Sequence, residues 1–396
     1  MGGPLAGIRV IEASQVISGP LCGMLLAQQG AEVIKVESPG GDPTRLSGNR
    51  RAGIGVMYAN CNRGKRVICL DATKAEGLDL LQRLIDSADV FTQNFRPGKA
   101  TKMGIGPDVM LARNPGLVYA SISGYGPDGP YSGHKVYDYV IQATVGFADA
   151  QRDATTGKPT LVRNYVVDKA TGYAAAQAVT AALLARERDP ERRGQHLDLA
   201  MLDVGLEFFW PEGMMEHTYL EVEGTEFVPA NLNFYDTYST LDGAIAVYPI
   251  VPSFFGGLCR ACGHPEWTED PRFSEVFERR RNMAAFAELV AAAIATFSTV
   301  DAIQRLERHD VAVADVVELA NVPEHPQVRW NESLVERVDP VVGRVRVPRH
   351  APQFGRTPVD PPGDVPALGQ HTDQVLSEMG LPASEIARLR AAGVVS

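Results

Sequence analysis

Residues 7–38 read GIRVIEASQVISGPLCGMLLAQQGAEVIKVES. GIRVIEAS is a short apolar run with the composition of a buried strand, GPLCGMLLAQQG has a helical pattern that stops at Gly30, and AEVIKVES is a second strand. A helix between two strands makes them parallel neighbours, the βαβ unit. The alternation continues through KRVICLD, a helical pattern over residues 75–87, ADVFTQNF and GLVYASISGYG. Strands separated by helices predict an α/β chain: a Rossmann-like large domain with a mostly parallel sheet and helices on its faces. The turn-rich GYGPDGPYSG should sit at a strand's carboxyl end, where open α/β sheets place their ligands.

The length of 396 residues exceeds a usual single domain, so a second unit is expected. The character changes near residue 222: YSTLDGAIAVYPI carries a DG turn between apolar runs, a hairpin signal, and helical segments follow around 252–262 and 282–298. The predicted organisation is a large domain over 1–221, a smaller α+β domain over 222–334, and a C-terminal segment over 335–396. In that last segment, RTPVDPPGDVPALG should be an extended connector, followed by two short helices.

Hydrophobic residues make up 45% and charged residues 22%, the balance of an ordinary globular protein. No run of about 18 apolar residues is present, and MGGPLAGIRV lacks the basic start and apolar stretch of a signal peptide. A cytoplasmic protein without a membrane partner is expected. The five cysteines stand in apolar contexts, as buried reduced thiols do. A formal charge of −10 disfavours nucleic acid. From Arg45 to Lys102, however, eleven bases face five acids, a local excess suited either to a small polyanion or to a solvated face.

The stretch VVDKATG, residues 166–172, puts Asp168 after two valines and before an alanine-rich helix over 169–186 that looks buried nearly all round. An aspartate there can cap the helix or be held as a reactive carboxylate. Familiar phosphate loops, dinucleotide fingerprints, nucleophile elbows and HExxH are absent. Cys259 and Cys262 form one CxxC beside His264 with no second ligand pair, so no metal is expected.

Many ordered blocks carry a resemblance. They include GIRVIEASQVISGP, GAEVIKVESPGGDPTR, NRGKRVICLD, ADVFTQNFRPGKATKMG, LVYASISGYGPDGPY, HKVYDYVIQA, VVDKATGYAAAQAVTAALLARERD, GQHLDLAMLD and PALGQHTDQVLSEMGLPASEIARLRAAGVV. Together they resemble the family III CoA-transferases, which include formyl-CoA transferase, carnitine CoA-transferase and the α-methylacyl-CoA racemases. The resemblance implies that the segment 335–396 returns to the large domain, with the smaller domain inserted between, and a homodimer of interlocked chains with coenzyme A or acyl-CoA as substrate, a carboxylic acid acceptor and no tightly bound cofactor. It implies that Asp168 is the catalytic carboxylate, forming a mixed anhydride with the acyl group and then a thioester with CoA. A helix N-terminus would favour the ionised form by about 0.3–1 kcal/mol if exposed.

The same resemblance places Val16 and Ile17 at the thioester site. The formyl-CoA transferase branch has glutamine where Ile17 stands, so here backbone N–H groups would have to serve an oxyanion. Leu70, Asn94, Phe95, Lys102 and Met103 match positions that wrap CoA, with Arg45, Lys74, Arg96 and Lys99 as further candidates for its phosphates. Lys135 and Tyr137 match a pair near the active site.

Two alternatives stay open. A racemase would use Asp168 as acid/base with a partner across the α-carbon. Racemase members carry histidine where this chain has Tyr137, and an ordinary tyrosine is a poor base at neutral pH; His134 lies three residues earlier. A non-catalytic acyl-CoA binding protein is the other. The region EGTEFVPANLNFYDTYS lacks the glycine run of the oxalate-specific branch; its Phe227, Phe234, Tyr235 and Tyr238 suit either a larger acyl group or the small domain's core.

Overall fold

The computed structural model of the chain describes residues 2–153, 155–221, 223–224, 237–247 and 252–396. Contacts divide it into two compact units, Met1–Phe208 with Arg329–Ser396, and Phe209–Val328. The sequence changes character after residues 221 and 334; the contact pattern changes after 208 and 328. Leu334 itself opens a strand, Leu334–Asp339, that pairs antiparallel with Gly343–Pro348.

The first unit is built on six strands: β1 Arg9–Ala13, β2 Glu32–Glu37, β3 Arg66–Cys69, β4 Val90–Gln93, β5 Val118–Ser123 and β6 Gln195–Ala200. Side by side they run β3-β2-β1-β4-β5-β6, and every neighbouring pair is parallel. This is the doubly wound order: the chain steps outward from β1 in one direction, returns to β4, and steps the other way. Between β1 and β4 the order reverses, so the loops that follow them part and leave a crevice at the strands' carboxyl ends.

Side chains alternate across the pleat. Val10, Val33, Val90 and Val118 face one layer, where they meet Leu21 and Leu25 of α1 (Ser18–Gln28) and Ala175, Val179 and Ala182 of the long helix Val166–Arg188. Ile11, Ile34, Ile68, Phe91 and Tyr119 face the other, against Leu80 and Leu84 of α2 (Ala75–Asp86) and the C-terminal helices Thr372–Glu378 and Ala383–Ala391. Two further helices frame the site: α3, Asp138–Thr144, and α4, the long helix Val166–Arg188.

Helix α4 differs from its sequence reading. It starts three residues earlier than expected and buries one face, with Thr171, Ala175, Val179, Ala182 and Arg186 turned inward. The opposite face leaves Tyr173 and Leu184 exposed, because within one chain the sheet and α1 cover only one side.

In the second unit, Tyr238–Ser239, Ala244–Val247 and Val313–Asp315 form an antiparallel sheet, with Thr240 N–H closing the turn on Gly243 O at 3.0 Å. Tyr238 lies in this unit's core with Ile245, Leu258 and Phe286; Phe227, Phe234 and Tyr235 lie outside the described residues. Cys259 and Cys262 are buried in the same core, and burial pushes their thiols up to about 11 and about 12. All five cysteines are free and buried. Among the described residues no three His, Cys, Asp or Glu side chains gather as metal ligands, and no single helix is long and apolar enough to cross a membrane.

Candidate active site

The crevice begins with the loop between β1 and α1. Val16 there has φ +72°, a left-handed conformation that a β-branched residue adopts only under constraint, at a cost of about 1–3 kcal/mol. The constraint is visible on both sides. The Asn94 side chain accepts from Gln15 N–H at 2.9 Å and donates to Gln15 O at 2.7 Å. Lys35 Nζ donates to Ser14 O at 2.7 Å, and Val16 N–H approaches Asp42 Oδ1 at 3.4 Å.

Beneath the loop lies a buried charge network. Lys35 sits between Glu12 at 3.0 Å and Asp42 at 3.1 Å, and Lys65 meets the other Glu12 oxygen at 2.7 Å. Glu37 takes the fork of Arg45 at 2.8 Å and the Tyr58 hydroxyl at 2.5 Å. Three acids and three bases thus balance inside the fold, each with a partner, the condition under which buried ions are tolerated. Burial pushes the Asp42 carboxyl up, but Lys35 and Thr44 outweigh it and hold it below its ordinary value.

Arg45 is therefore spoken for: it is buried against Glu37 and is not a free phosphate ligand. Four other bases between Arg45 and Lys102 are likewise internal or partnered, while Arg50, Arg51 and Arg83 are exposed. Lys65 and Arg63 are buried, Arg66 pairs with Glu32 and Glu378, and Lys74 caps the last helix by donating to Ala392 O and Gly393 O at 2.6 and 3.0 Å. Arg96, Lys99 and Lys102 remain exposed in one short stretch.

Asp168 is the third residue of α4, beyond the cap position, which Tyr165 occupies without a side-chain bond. The capping reading of Asp168 is thereby corrected: its own amide is the orphan, and the Asp138 carboxylate from α3 accepts it at 2.9 Å. The Gln142 side chain donates to Asp138 and, at 2.9 Å, to Asn164 O, so the approach to α4 is tied to α3. Asp168 is buried, only 6% exposed. Burial, and secondarily the charge of Asp138, push its carboxyl up from 3.8 to about 6, while the Ser18 hydroxyl and amide facing it pull the other way. The helix terminus was expected to favour the ionised form; desolvation outweighs it.

One cavity of about 290 Å³ joins these parts. Gln15, Val16, Ser18, Asn94, Phe95, Arg96, Lys135, Tyr137 and Asp168 all line it, with Gly124, Tyr125 and Ser132 of the turn-rich loop after β5. Among the described residues that line it, Asp168 is the one acid. Of the residues matched from sequence, the structure brings Val16, Asn94, Phe95, Lys135 and Tyr137 together with Asp168. Four others it does not. Ile17 is buried behind the loop, Leu70 is core and bridges Val395, Met103 packs against that core, and Lys102 is exposed away from the cavity.

The sequence model of CoA-transferase family III matches residues 5–372. The chain belongs to that family. It is accordingly an enzyme, and relatives align over almost its whole length. A probable fatty acyl-CoA transferase of Mycobacterium tuberculosis is 32% identical, with 93% of this chain and 96% of that protein covered. A succinyl-CoA–D-citramalate CoA-transferase of Chloroflexus aurantiacus is 31% identical, covering 99% and 98%. The crystal structure of a CaiB/BaiF family protein from Brucella suis superposes with a TM-score of 0.81 at 29% identity, over 96% of this chain and all of that one.

Within this family III enzyme, three residues at the site escape sequence reasoning. Ser18 has no motif of its own; a serine opening a helix is commonplace. Asp138 stands in the matched VYD block, yet its bond to the Asp168 amide depends on the pairing of α3 with α4. Lys35 sits inside an apolar strand, EVIKVE, and a lysine there is a sign that something buried needs its charge.

Proposed function

We propose that this enzyme moves coenzyme A from an acyl-CoA thioester to a free carboxylic acid, with Asp168 as nucleophile. The observation that carries the reading is a buried carboxylate, the one acid among the described residues in the wall of a cavity at the sheet's switch point, which Ser18 also lines. A desolvated carboxylate with a raised pKa is a stronger nucleophile than one in water, and at neutral pH it is still mostly ionised. It attacks the acyl carbon and releases CoA thiolate. The thiolate then attacks the resulting anhydride at the aspartyl carbonyl, and the acceptor acid reverses the sequence.

CoA is proposed to lie with its thioester against Val16, Asn94, Phe95, Lys135 and Tyr137. Its phosphates would face the exposed Arg96, Lys99 and Lys102, and its nucleotide the half-buried Met103. No tightly bound cofactor takes part. The protein is proposed to act in the cytoplasm as an interlocked homodimer; the exposed Tyr173 and Leu184 on α4 support a second chain covering that face. Residues 222–334 are proposed as the small domain inserted in the large one.

A second reading, α-proton exchange by a racemase, draws on His134, which lines the same cavity as Asp168. Incubation with a panel of labelled acyl-CoA donors followed by hydroxylamine separates the readings. Modification of Asp168 supports transfer, deuterium uptake at the α-carbon without modification supports the racemase, and binding with neither supports a passive acyl-CoA carrier.

A further inference from the structure

The oxyanion donor missing at Ile17 has a neighbour that can supply it. Ser18 is the first residue of α1 and 3% exposed, and it lines the cavity beside Asp168. Its amide is one of the helix-start N–H groups with no intrahelical partner, and Ile17 before it makes no side-chain cap. Helices α1 and α4 approach closely at this point: a Cβ on Gly172 would meet Ser18 O at 2.9 Å and Leu21 Cβ at 2.9 Å. One turn before Gly172 on α4 is Asp168, which shares the cavity wall with Ser18, and hydrogen bonding from Ser18 pulls its raised carboxyl pKa back down. The loop that delivers Ser18 is the one clamped by Asn94, Lys35 and Asp42, so the donors stand in place before reaction begins.

We infer that Ser18 is a second catalytic residue, whose hydroxyl and backbone N–H stabilise the oxyanion that forms on the carbonyl of Asp168. This rests on the nucleophile reading of Asp168 and says which step Ser18 serves. When Asp168 attacks the donor thioester, the oxyanion forms on the substrate's carbonyl, away from Ser18. One aspartate oxygen becomes the bridge of the anhydride and the other remains as its carbonyl. CoA sulfur then adds to Cγ, the carbonyl electron pair moves onto the oxygen facing Ser18, and collapse expels the donor acid as carboxylate and leaves the aspartyl thioester. The acceptor carboxylate adds to the same Cγ, raises the same oxyanion, and expels CoA thiolate. No proton is transferred in either step; the serine keeps its hydrogen and donates it as a bond that strengthens as charge develops.

Rapid mixing of enzyme with an acyl-CoA donor, quenched and read by intact mass, follows the enzyme–CoA thioester directly. Ser18→Ala should form and discharge that adduct roughly 10²–10³-fold more slowly, the effect of removing one preorganised donor, with acyl-CoA Kd changed by less than about twofold. Its activity profile should also move to higher pH, because a donor to ionised Asp168 is gone. Adduct formation at the wild-type rate in Ser18→Ala overturns the inference, as does weakened binding with an unchanged adduct rate. If the wild-type enzyme gives no adduct with any donor, the Asp168 reading itself fails and takes this one with it.

Discussion

As the proposed nucleophile, Asp168 carries opposing demands, since it must be ionised in a place that resists ionisation. With a carboxyl at about 6 rather than 3.8, kcat/KM should rise with pH through a limb near 6 and level off above it, measured with a donor whose own charge is constant. Stability runs the other way. A group whose folded-state pKa is raised contributes stability that is complete below its unfolded value and is lost as pH climbs through the folded one. Ionised Asp168 therefore strains the fold at neutral pH. Asp168→Asn should abolish transfer and raise unfolding stability at pH 7 by up to about 3 kcal/mol, with the gain vanishing near pH 4, as urea melts at the two pH values would show. Asp138→Asn tests the charge contribution: it keeps an acceptor for the Asp168 amide, removes a negative charge, and should move the activity limb to lower pH. The position of Asp168 was legible through the VVDKATG block, whereas its raised pKa was not, because burial and the Asp138 neighbour come from packing of segments thirty residues apart.

At the scale of elements, the β1–α1 loop is held by groups that read in sequence as something else. Asn94 matched a CoA-wrapping position, yet both ends of its amide are engaged with the Gln15 backbone. Asn94→Ala should leave those backbone groups unpaired, cost about 1–3 kcal/mol, and lower kcat more than it weakens acyl-CoA binding. Lys35→Met goes deeper, stranding Glu12 and Asp42 in the interior; a loss of about 3–5 kcal/mol in a denaturant melt is expected. A Lys35→Met protein as stable as the parent would mean the network is not what holds the loop. Strands and helices of the first unit were legible because apolar runs and helical periods survive packing. The clamps were not, since a lone Asn or Lys says nothing of which backbone it will meet. The charge excess from Arg45 to Lys102 was legible only as a count: composition does not say that Arg45 and Lys65 lie inside while Arg96, Lys99 and Lys102 stay exposed.

The whole molecule follows from one reversal of strand order. A βαβ reading of residues 7–38 predicts parallel neighbours, and the observed order β3-β2-β1-β4-β5-β6 fixes where a ligand crevice can open. Sequence periodicity could not give that order, because each strand pattern looks alike whichever neighbour it finds. The exposed face of α4 belongs to this scale too. Leu184 is 52% exposed, and in a monomer Leu184→Asp should alter stability by no more than about 0.5 kcal/mol. In the proposed homodimer it should lower the dimer fraction in light scattering and cut activity with it. The central claim, covalent participation of Asp168, is tested most directly by turnover with a fully ¹⁸O-labelled carboxylate acceptor. The route through anhydride and thioester returns one acceptor oxygen to the enzyme, so the peptide containing Asp168 should gain about 2 Da as acyl-CoA product appears. Product formed with that peptide left at its original mass would contradict the account.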